Sequence, residues 1–181
     1  MDWAQPYGPL IETTMRVLTW NVWGEYGPHA ERSAGIGKLV GDLDPDVITM
    51  QEWAGQATGL GYHAYVAATA SRRHPALVCG DFNAPPDSDE MRMLTGKSAP
   101  GTPGVVFYDA WEVAGPGGHG HTWSNANQWA RPGLYPPRRI DYVLSAWPRA
   151  GGAGHPVRCE VVGDGPEPAS DHYAVLAELR Y

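Results

Sequence analysis

Polar side chains that could do chemistry stand at the ends of several apolar segments of this sequence. Asp81 and Asn83 follow the apolar run 76–79 and Gly80, and two prolines then break the chain. In an extended strand, residues i and i+2 point to the same face, so we expect Asp81 and Asn83 to project together at a strand end. Taken alone, such a pair is more typical of a turn than of a site.

The same pattern recurs at four other places along the chain. The further candidates are Asn21 after 17–20, Glu52 after 47–51, Asp141 between Ile140 and Tyr142, and Asp171 and His172 before 173–177. Each of them alone is compatible with a solvated or turn-forming residue, but five such strand ends in one chain favour a shared site. Strand ends along one edge of a sheet bring residues from distant parts of the chain together, and many active sites of α/β proteins are built in this way.

The residue types favour phosphate and metal chemistry. Glu52 offers hard carboxylate oxygens, which suit Mg²⁺ or Mn²⁺, and the lack of a Cys cluster disfavours zinc. His172 could serve as a general base or as a donor to a phosphoryl oxygen. A carboxylate on its other ring nitrogen would fix the tautomer, and Asp141 is the candidate. Asn21 and Asn83 are neutral donors that can hold an anion without cancelling the charge of a metal.

The elements that must position these residues are mostly strands. Strands are predicted over 16–23, 47–51, 76–79, 105–111, 139–144, 157–162 and 173–179. Apolar residues at helical spacing predict a helix over 30–43, and a cap signal at Asp87 and Ser88 predicts a short helix over 90–94. Strand, helix and strand within 16–51 resemble a crossover unit with parallel or mixed pairing.

Composition bounds the class of protein. The 181 residues are 43% hydrophobic, which indicates one globular domain. Residues 1–14 lack periodicity and are predicted to be an N-terminal arm, or sequence upstream of a start at Met15, leaving 15–181 as a single domain.

A net charge of −7 disfavours a strong basic nucleic-acid surface, although a local basic patch is compatible with it. Cys79 and Cys159 are expected to be buried thiols. No membrane span and no secretory signal are visible, so a cytoplasmic protein is expected.

Five motifs, taken in order, resemble the endonuclease/exonuclease/phosphatase superfamily of metal-dependent phosphoesterases. They are TWNVW at 19–23, MQEW at 50–53, CGDFN at 79–83, RIDYV at 139–143 and SDH at 170–172. The resemblance runs from about Met15 to the C-terminus, and Thr122 with Trp123 is similar to the family's Thr-aromatic element. It implies an α/β (α+β) fold, a four-layer α/β sandwich of two mixed β-sheets flanked by helices.

The resemblance also implies which residues hold a metal and which bind substrate. Glu52 would bind catalytic Mg²⁺, with Mn²⁺ as the alternative. Asn21 would sit beside Glu52 and help to hold the phosphate and the metal shell, and Asp171 would lie near the metal.

A second group of roles concerns the reacting groups. Asp81 would position or deprotonate the attacking water, and Asn83 would contact the phosphate. Asp141 would orient His172, which would contact the scissile phosphate and act in proton transfer. The water would attack in line.

Three arginines are candidates for a clamp on a substrate phosphate, because a guanidinium binds phosphate through paired donors. They are Arg131, Arg138 and Arg139, of which Arg139 is the preferred one because it adjoins the Asp141 strand. Surface solvation explains these residues equally well.

The sequence departs from the family between Glu52 and Asp81, which are 29 residues apart where the family has a much longer segment. The sandwich is therefore expected to be truncated in its central portion, with an exposed sheet edge through which the chain could form an oligomer. Three hypotheses remain open: an enzyme acting on a small-molecule phosphoester or a nucleic-acid end, a non-catalytic phosphate- or metal-binding remnant, and a fragment that does not fold alone.

Overall fold

The computed structural model describes residues 8–52, 65–67, 75–99, 106–133 and 135–181. In chain order, the elements are β1 (Thr14–Asn21), α1 (His29–Leu43), β2 (Val47–Gln51), β3 (Tyr65–Ala67), β4 (Leu77–Asp81), α2 (Asp89–Leu94), β5 (Phe107–Asp109), α3 (Ala110–Ala114), β6 (Asp141–Ala146), β7 (Pro156–Val162) and β8 (Ala174–Arg180).

The first sheet has the strand order β2-β1-β8-β7 and is mixed. β1 and β2 are parallel and α1 connects them, which confirms the predicted crossover. β8 is antiparallel to both β1 and β7. In the parallel pair Asn21 lies opposite Gln51, so the carboxyl ends of both strands meet at one edge.

The second sheet has the strand order β3-β4-β6-β5 and is antiparallel throughout its described strands, so only the first sheet is mixed. β4 pairs with β6 in a register that sets Asp81 directly opposite Asp141. Residues opposite each other in an antiparallel pair project to the same face. The register therefore brings two carboxylates from distant parts of the chain side by side.

The two sheets pack face to face and a helix covers each outer face, which gives the four expected layers. The layer between the sheets includes Val17, Val175 and Leu179 from the first sheet and Cys79 and Val143 from the second. On the outer faces, Ile36 of α1 packs in a cluster with Leu18, Trp20 and Leu176, and Met91 of α2 in a cluster with Tyr142 and Leu144. Both helices bury their apolar side against a sheet, as amphipathic helices do.

Local capping explains where the helices begin and end. Ser88 accepts a hydrogen bond from the backbone nitrogen of Met91 at 3.3 Å, which confirms the predicted cap of α2. The predicted strand over 105–111 is shorter than expected, because the Asp109 side chain accepts from the nitrogen of Trp111 at 3.0 Å and starts α3 there. α1 stops at Asp44, which has a left-handed φ of 46°.

The described part of the predicted N-terminal arm is hydrogen-bonded to the C-terminal half of the chain. The Ile11 nitrogen donates to the Gly151 oxygen at 2.8 Å, and Thr14 is already in β1 opposite Arg180. Residues 1–7 lie outside the described residues, as do 53–64 and 68–74, where the central truncation was expected. The division into an arm and one domain stays a prediction.

Within the ranges that the structure covers, no helix is both long enough and apolar enough to cross a lipid bilayer.

Candidate active site

Asn21 and Glu52 lie together where β1 and β2 end. The Asn21 Nδ2 donates to Glu52 Oε1 at 3.1 Å. Glu52 is exposed and has a left-handed φ of 54°, which is uncommon for a residue with a side chain and frequent near functional sites. The parallel register of β1 and β2 thus delivers an exposed carboxylate beside a buried amide.

The Asn21 amide joins carboxylates from both sheets. Its Nδ2 lies 3.1 Å from Glu52 Oε1 and 3.1 Å from Asp81 Oδ2, while its Oδ1 accepts from the Trp23 nitrogen at 3.0 Å. A backbone N–H can only donate, so it fixes the amide with the oxygen turned away from the carboxylates. In this arrangement Asn21 offers N–H donors to the two carboxylates, and its role as a metal ligand stays a prediction.

Asp81, Asp141 and His172 lie together, and the buried pair Asp141 and His172 is hydrogen-bonded. His172 Nδ1 is 2.9 Å from Asp141 Oδ2, and His172 Nε2 is 3.9 Å from Asp81 Oδ2. Asp141 is 1% exposed and His172 6% exposed. The Asp141 contact fixes the ring orientation, which leaves Nε2 as the nitrogen that faces Asp81.

Backbone and hydroxyl contacts hold the segment with Asp171 and His172 against β1. Ser170 Oγ donates to the Asn21 oxygen at 2.7 Å and accepts from the His172 nitrogen at 3.3 Å. The indole Nε1 of Trp20 donates to the His172 oxygen at 3.0 Å. These contacts hold the backbone of His172 against β1, the strand that carries Asn21.

Burial and like charge raise the pKa values of two site carboxyls. Burial is the main cause for Asp81, and the charge of Asp141 adds to it, against the opposing charge of His172. Burial also raises the pKa of Asp171; His172 opposes that shift and Glu52 adds to it. A cation bound among these groups would relieve the repulsion between them.

The pKa of His172 shifts in the opposite sense to what burial would produce. Burial alone lowers it, but the charge of Asp141, the hydrogen bond with Asp141 and the charges of Asp81 and Asp171 raise it to about 9. The imidazole thus interacts electrostatically with three carboxylates at once.

Asn83 lies beside Asp81, as predicted, but through a turn instead of an extended strand. Its φ is 51°, its backbone nitrogen donates to Asp81 Oδ1 at 2.8 Å, and its Nδ2 lies 3.4 Å from Asp81 Oδ2. Asn tolerates the left-handed region, and an Asp two residues earlier commonly accepts such a bond. β4 therefore ends at Asp81, and the Asn83 side chain is exposed at the rim of the site.

Arg139 is not brought to the site. Its side chain is 4% exposed, Nη1 donates to Asp109 Oδ2, Nη2 lies 3.8 Å from Glu112 Oε1, and the guanidinium stacks over Tyr142. A buried guanidinium needs carboxylate partners, and this one has them in β5 and α3. This corrects the expectation that Arg139 contacts substrate.

Arg32 is a structural contributor to the site that the sequence reasoning missed. It is 3% exposed and donates to the backbone oxygens of Val22, Gly24 and Tyr26, and to that of Ala169 at 3.1 Å. One side chain therefore ties the loop after β1 to the loop before Asp171. A signal was available: Arg32 lies four residues before Ile36, on the apolar side of α1.

The donor set fits a hard divalent cation. Glu52, Asp171 and Asp81 supply carboxylate oxygens, which Mg²⁺ and Mn²⁺ prefer. Asp81, Asp141 and His172 also present ligand atoms within 4.8 Å of one another. Asp141 Oδ2 and His172 Nδ1 are already hydrogen-bonded to each other, so these two atoms are committed to the pair.

Solved structures of low sequence identity share this fold. A Bacteroides vulgatus endonuclease/exonuclease/phosphatase is 15% identical with a TM-score of 0.63, covering 93% of this chain and 99% of its own. Truncated Caenorhabditis elegans TDP2 is 16% identical with a TM-score of 0.59, covering 95% and 100%. A mannosyl-6-phosphatase from Bacteroides thetaiotaomicron is 13% identical with a TM-score of 0.58, covering 92% and 100%.

No curated protein matches the sequence. The model of the Endonuclease/Exonuclease/phosphatase family matches residues 18–172, a span that includes every candidate site residue from Asn21 to His172. The chain belongs to the endonuclease/exonuclease/phosphatase family.

Proposed function

We propose that this chain hydrolyses a phosphoester bond by in-line attack of water, with Mg²⁺, or alternatively Mn²⁺, as its cofactor. Members of the family are phosphoester hydrolases, which supports the reaction class. The observation that carries the proposal is the convergence of Glu52, Asp81 and His172, from three strand ends, around the Asn21 amide.

Glu52 and Asp171 are the proposed metal ligands. They supply hard oxygens, and the charge of Glu52 contributes to the raised pKa of Asp171, so a cation would stabilise both. Bound there, Mg²⁺ would stabilise the negative charge that develops on a phosphoryl oxygen. Asn21 would keep Glu52 and Asp81 aligned through its two Nδ2 hydrogen bonds.

Asp81, Asn83 and His172 are the groups proposed to act on water and phosphate. Asp81 would orient the attacking water and accept its proton. His172, oriented by Asp141, would contact the phosphate through Nε2, and the exposed Asn83 amide would donate to a phosphate oxygen. Asp81 Oδ2 lies 3.9 Å from His172 Nε2 and 3.4 Å from Asn83 Nδ2, so one phosphate could contact all three groups.

The test is a hydrolysis panel with purified protein. Bis(p-nitrophenyl) phosphate and p-nitrophenyl phosphate distinguish diester from monoester cleavage. We expect activity that requires added Mg²⁺ or Mn²⁺, stops with EDTA, and is lost in Glu52→Gln and His172→Ala. Glu167→Gln, which makes the same change at an exposed position, should keep full activity.

The proposed substrate is a small-molecule phosphoester or a nucleic-acid end. The panel should therefore include nucleotides, sugar phosphates and short DNA. No turnover of any substrate with any metal would refute catalysis. If calorimetry then showed Mg²⁺ binding that Glu52→Gln abolishes, the chain would be a non-catalytic metal-binding member of the family, the second candidate.

A further inference from the structure

Three arginines stack on aromatic rings, and Arg138 differs from the other two. Arg32 donates hydrogen bonds to backbone oxygens, and Arg139 donates from Nη1 to Asp109. Arg138 lies over Trp123 at 5.0 Å and over Tyr135 at 4.6 Å. Across the described ranges its guanidinium makes no ion pair, and its Nε has no hydrogen-bond partner. Of these three arginines, Arg138 is therefore the one whose side-chain donors do not bind another described part of the protein.

The backbone places Arg138 on the His172 side of the site. Trp123 makes one antiparallel bridge with His172 and another with Arg138. Directly opposed residues in antiparallel pairs project to the same face. The face that carries the imidazole thus continues through the Trp123 indole to Arg138.

The distance suits a group next to the reacting phosphate. Two strand spacings separate the His172 and Arg138 backbones, which corresponds to about 10 Å. An arginine side chain spans much of such a gap. Trp123 is buried whereas Tyr135 is 59% exposed, so one ring forms a fixed support and the other an open edge.

The charges around the site define what Arg138 would bind. The chain carries a net charge of −7, and the residues around His172 include Asp81, Asp141 and Asp171. A substrate with a second anionic group would meet repulsion there unless a cation faced it. The planes of the two rings are 74° apart, so the guanidinium packs in the corner between them. Its terminal Nη donors could then make paired bonds to an oxyanion.

We propose that Arg138, packed against both Trp123 and Tyr135, binds a second anionic group of the substrate, a phosphate adjacent to the scissile one. This inference rests on the proposed phosphoesterase function. It assigns the segment from Trp123 to Arg138 to substrate selection and favours substrates that carry two phosphates.

The test compares two chromogenic substrates with the same scissile bond. Thymidine 5′-(p-nitrophenyl phosphate) lacks a second phosphate, and its 3′-phosphorylated form carries one. The wild-type chain should have a KM about tenfold lower, or more, for the 3′-phosphorylated form, since charge-assisted hydrogen bonds carry at least this preference. Arg138→Gln should abolish the preference by raising KM for the 3′-phosphorylated form.

Arg92→Gln is the matched control, because it removes the same charge from an exposed position in α2. It should retain the wild-type preference and, like Arg138→Gln, a cooperative thermal transition. Equal KM values for the two substrates in the wild type, or a preference that survives in Arg138→Gln, would overturn the subsite.

Failure of the proposed function gives a different result from failure of the subsite. If the wild type cleaved neither substrate, pyrophosphate binding would be measured by calorimetry instead. Weaker binding in Arg138→Gln than in Arg92→Gln would support the anion subsite, and equal binding would refute it.

Discussion

Asp141 Oδ2 and His172 Nδ1 lie 2.9 Å apart, although 31 residues separate them in the chain. Asp141 begins β6 in one sheet, and His172 precedes β8 in the other. The pair is buried, so the carboxylate is held by the imidazole without competition from water.

The first prediction concerns this pair. Asp141→Asn keeps the shape of the side chain, but it removes the charge and replaces one of the two acceptor oxygens by an amide donor, so the ring is no longer fixed in the same way. We expect kcat to fall by about 10²- to 10⁴-fold, the range of a positioned acid–base group, with a smaller change in KM. Steady-state kinetics measure the effect, and Asp164→Asn, at an exposed position, should match the wild type. A kcat within threefold of the wild type would contradict the orienting role.

The second prediction concerns the Asn21 bridge between Glu52 and Asp81. Asn21→Asp replaces two donors by a negative charge next to two carboxylates. Without metal, we expect the thermal midpoint to fall by roughly 3 °C or more, because like charges at hydrogen-bond distance cost at least about 1 kcal/mol. Added Mg²⁺ should raise the thermal midpoint of the variant by more than it raises that of the wild type. Calorimetric scans with and without Mg²⁺ measure both effects, and equal midpoints in EDTA would contradict the bridging role.

The third prediction concerns Arg32. Arg32→Met removes the hydrogen bonds to Val22, Gly24, Tyr26 and Ala169 and leaves these backbone oxygens without the partner they have now. We expect the free energy of unfolding to fall by about 3 kcal/mol or more, since several buried acceptors lose a charged donor together. Urea titration measures this loss. Arg92→Met, at an exposed position of α2, should change stability by about 0.5 kcal/mol at most.

The fourth prediction concerns the two thiols. Burial raises the pKa values of Cys79 and Cys159 to about 12. An acid with a raised pKa keeps its proton longer, so both residues should remain neutral thiols, and therefore poor nucleophiles, at pH 8. With Ellman's reagent we expect no rapid reaction in the native chain and two thiols per chain after unfolding in guanidinium chloride. A fast native reaction of either thiol would contradict this packing.

Much of the fold could be predicted because local signals and the order of motifs agree. The helical spacing over 30–43, the Ser88 cap and the strand predicted over 157–162 each correspond to an observed element. The strand predicted over 105–111 is partly a helix, because the Asp109 side chain caps α3, and β-branched composition gives no warning of that.

The proximity of the strand-end residues could be predicted, but the orientation of their side chains could not. Strand ends identified Glu52, Asp81 and His172 as neighbours. The direction of the Asn21 amide depends on the Trp23 nitrogen, and the burial of Arg139 depends on Asp109, which is 30 residues away. Contacts of that range follow from tertiary packing, which residue type and spacing do not specify.

The Asn21–Asp81 and His172–Asp141 contacts both cross from the first sheet to the second. Neither sheet alone holds a complete set of reacting groups: one contributes Glu52 and His172, and the other Asp81 and Asp141. Catalysis would therefore require the two sheets to stay packed against each other, and its loss would show that they had separated. Under mild denaturation, turnover should disappear as soon as the halves separate, even while the strands within each half stay paired.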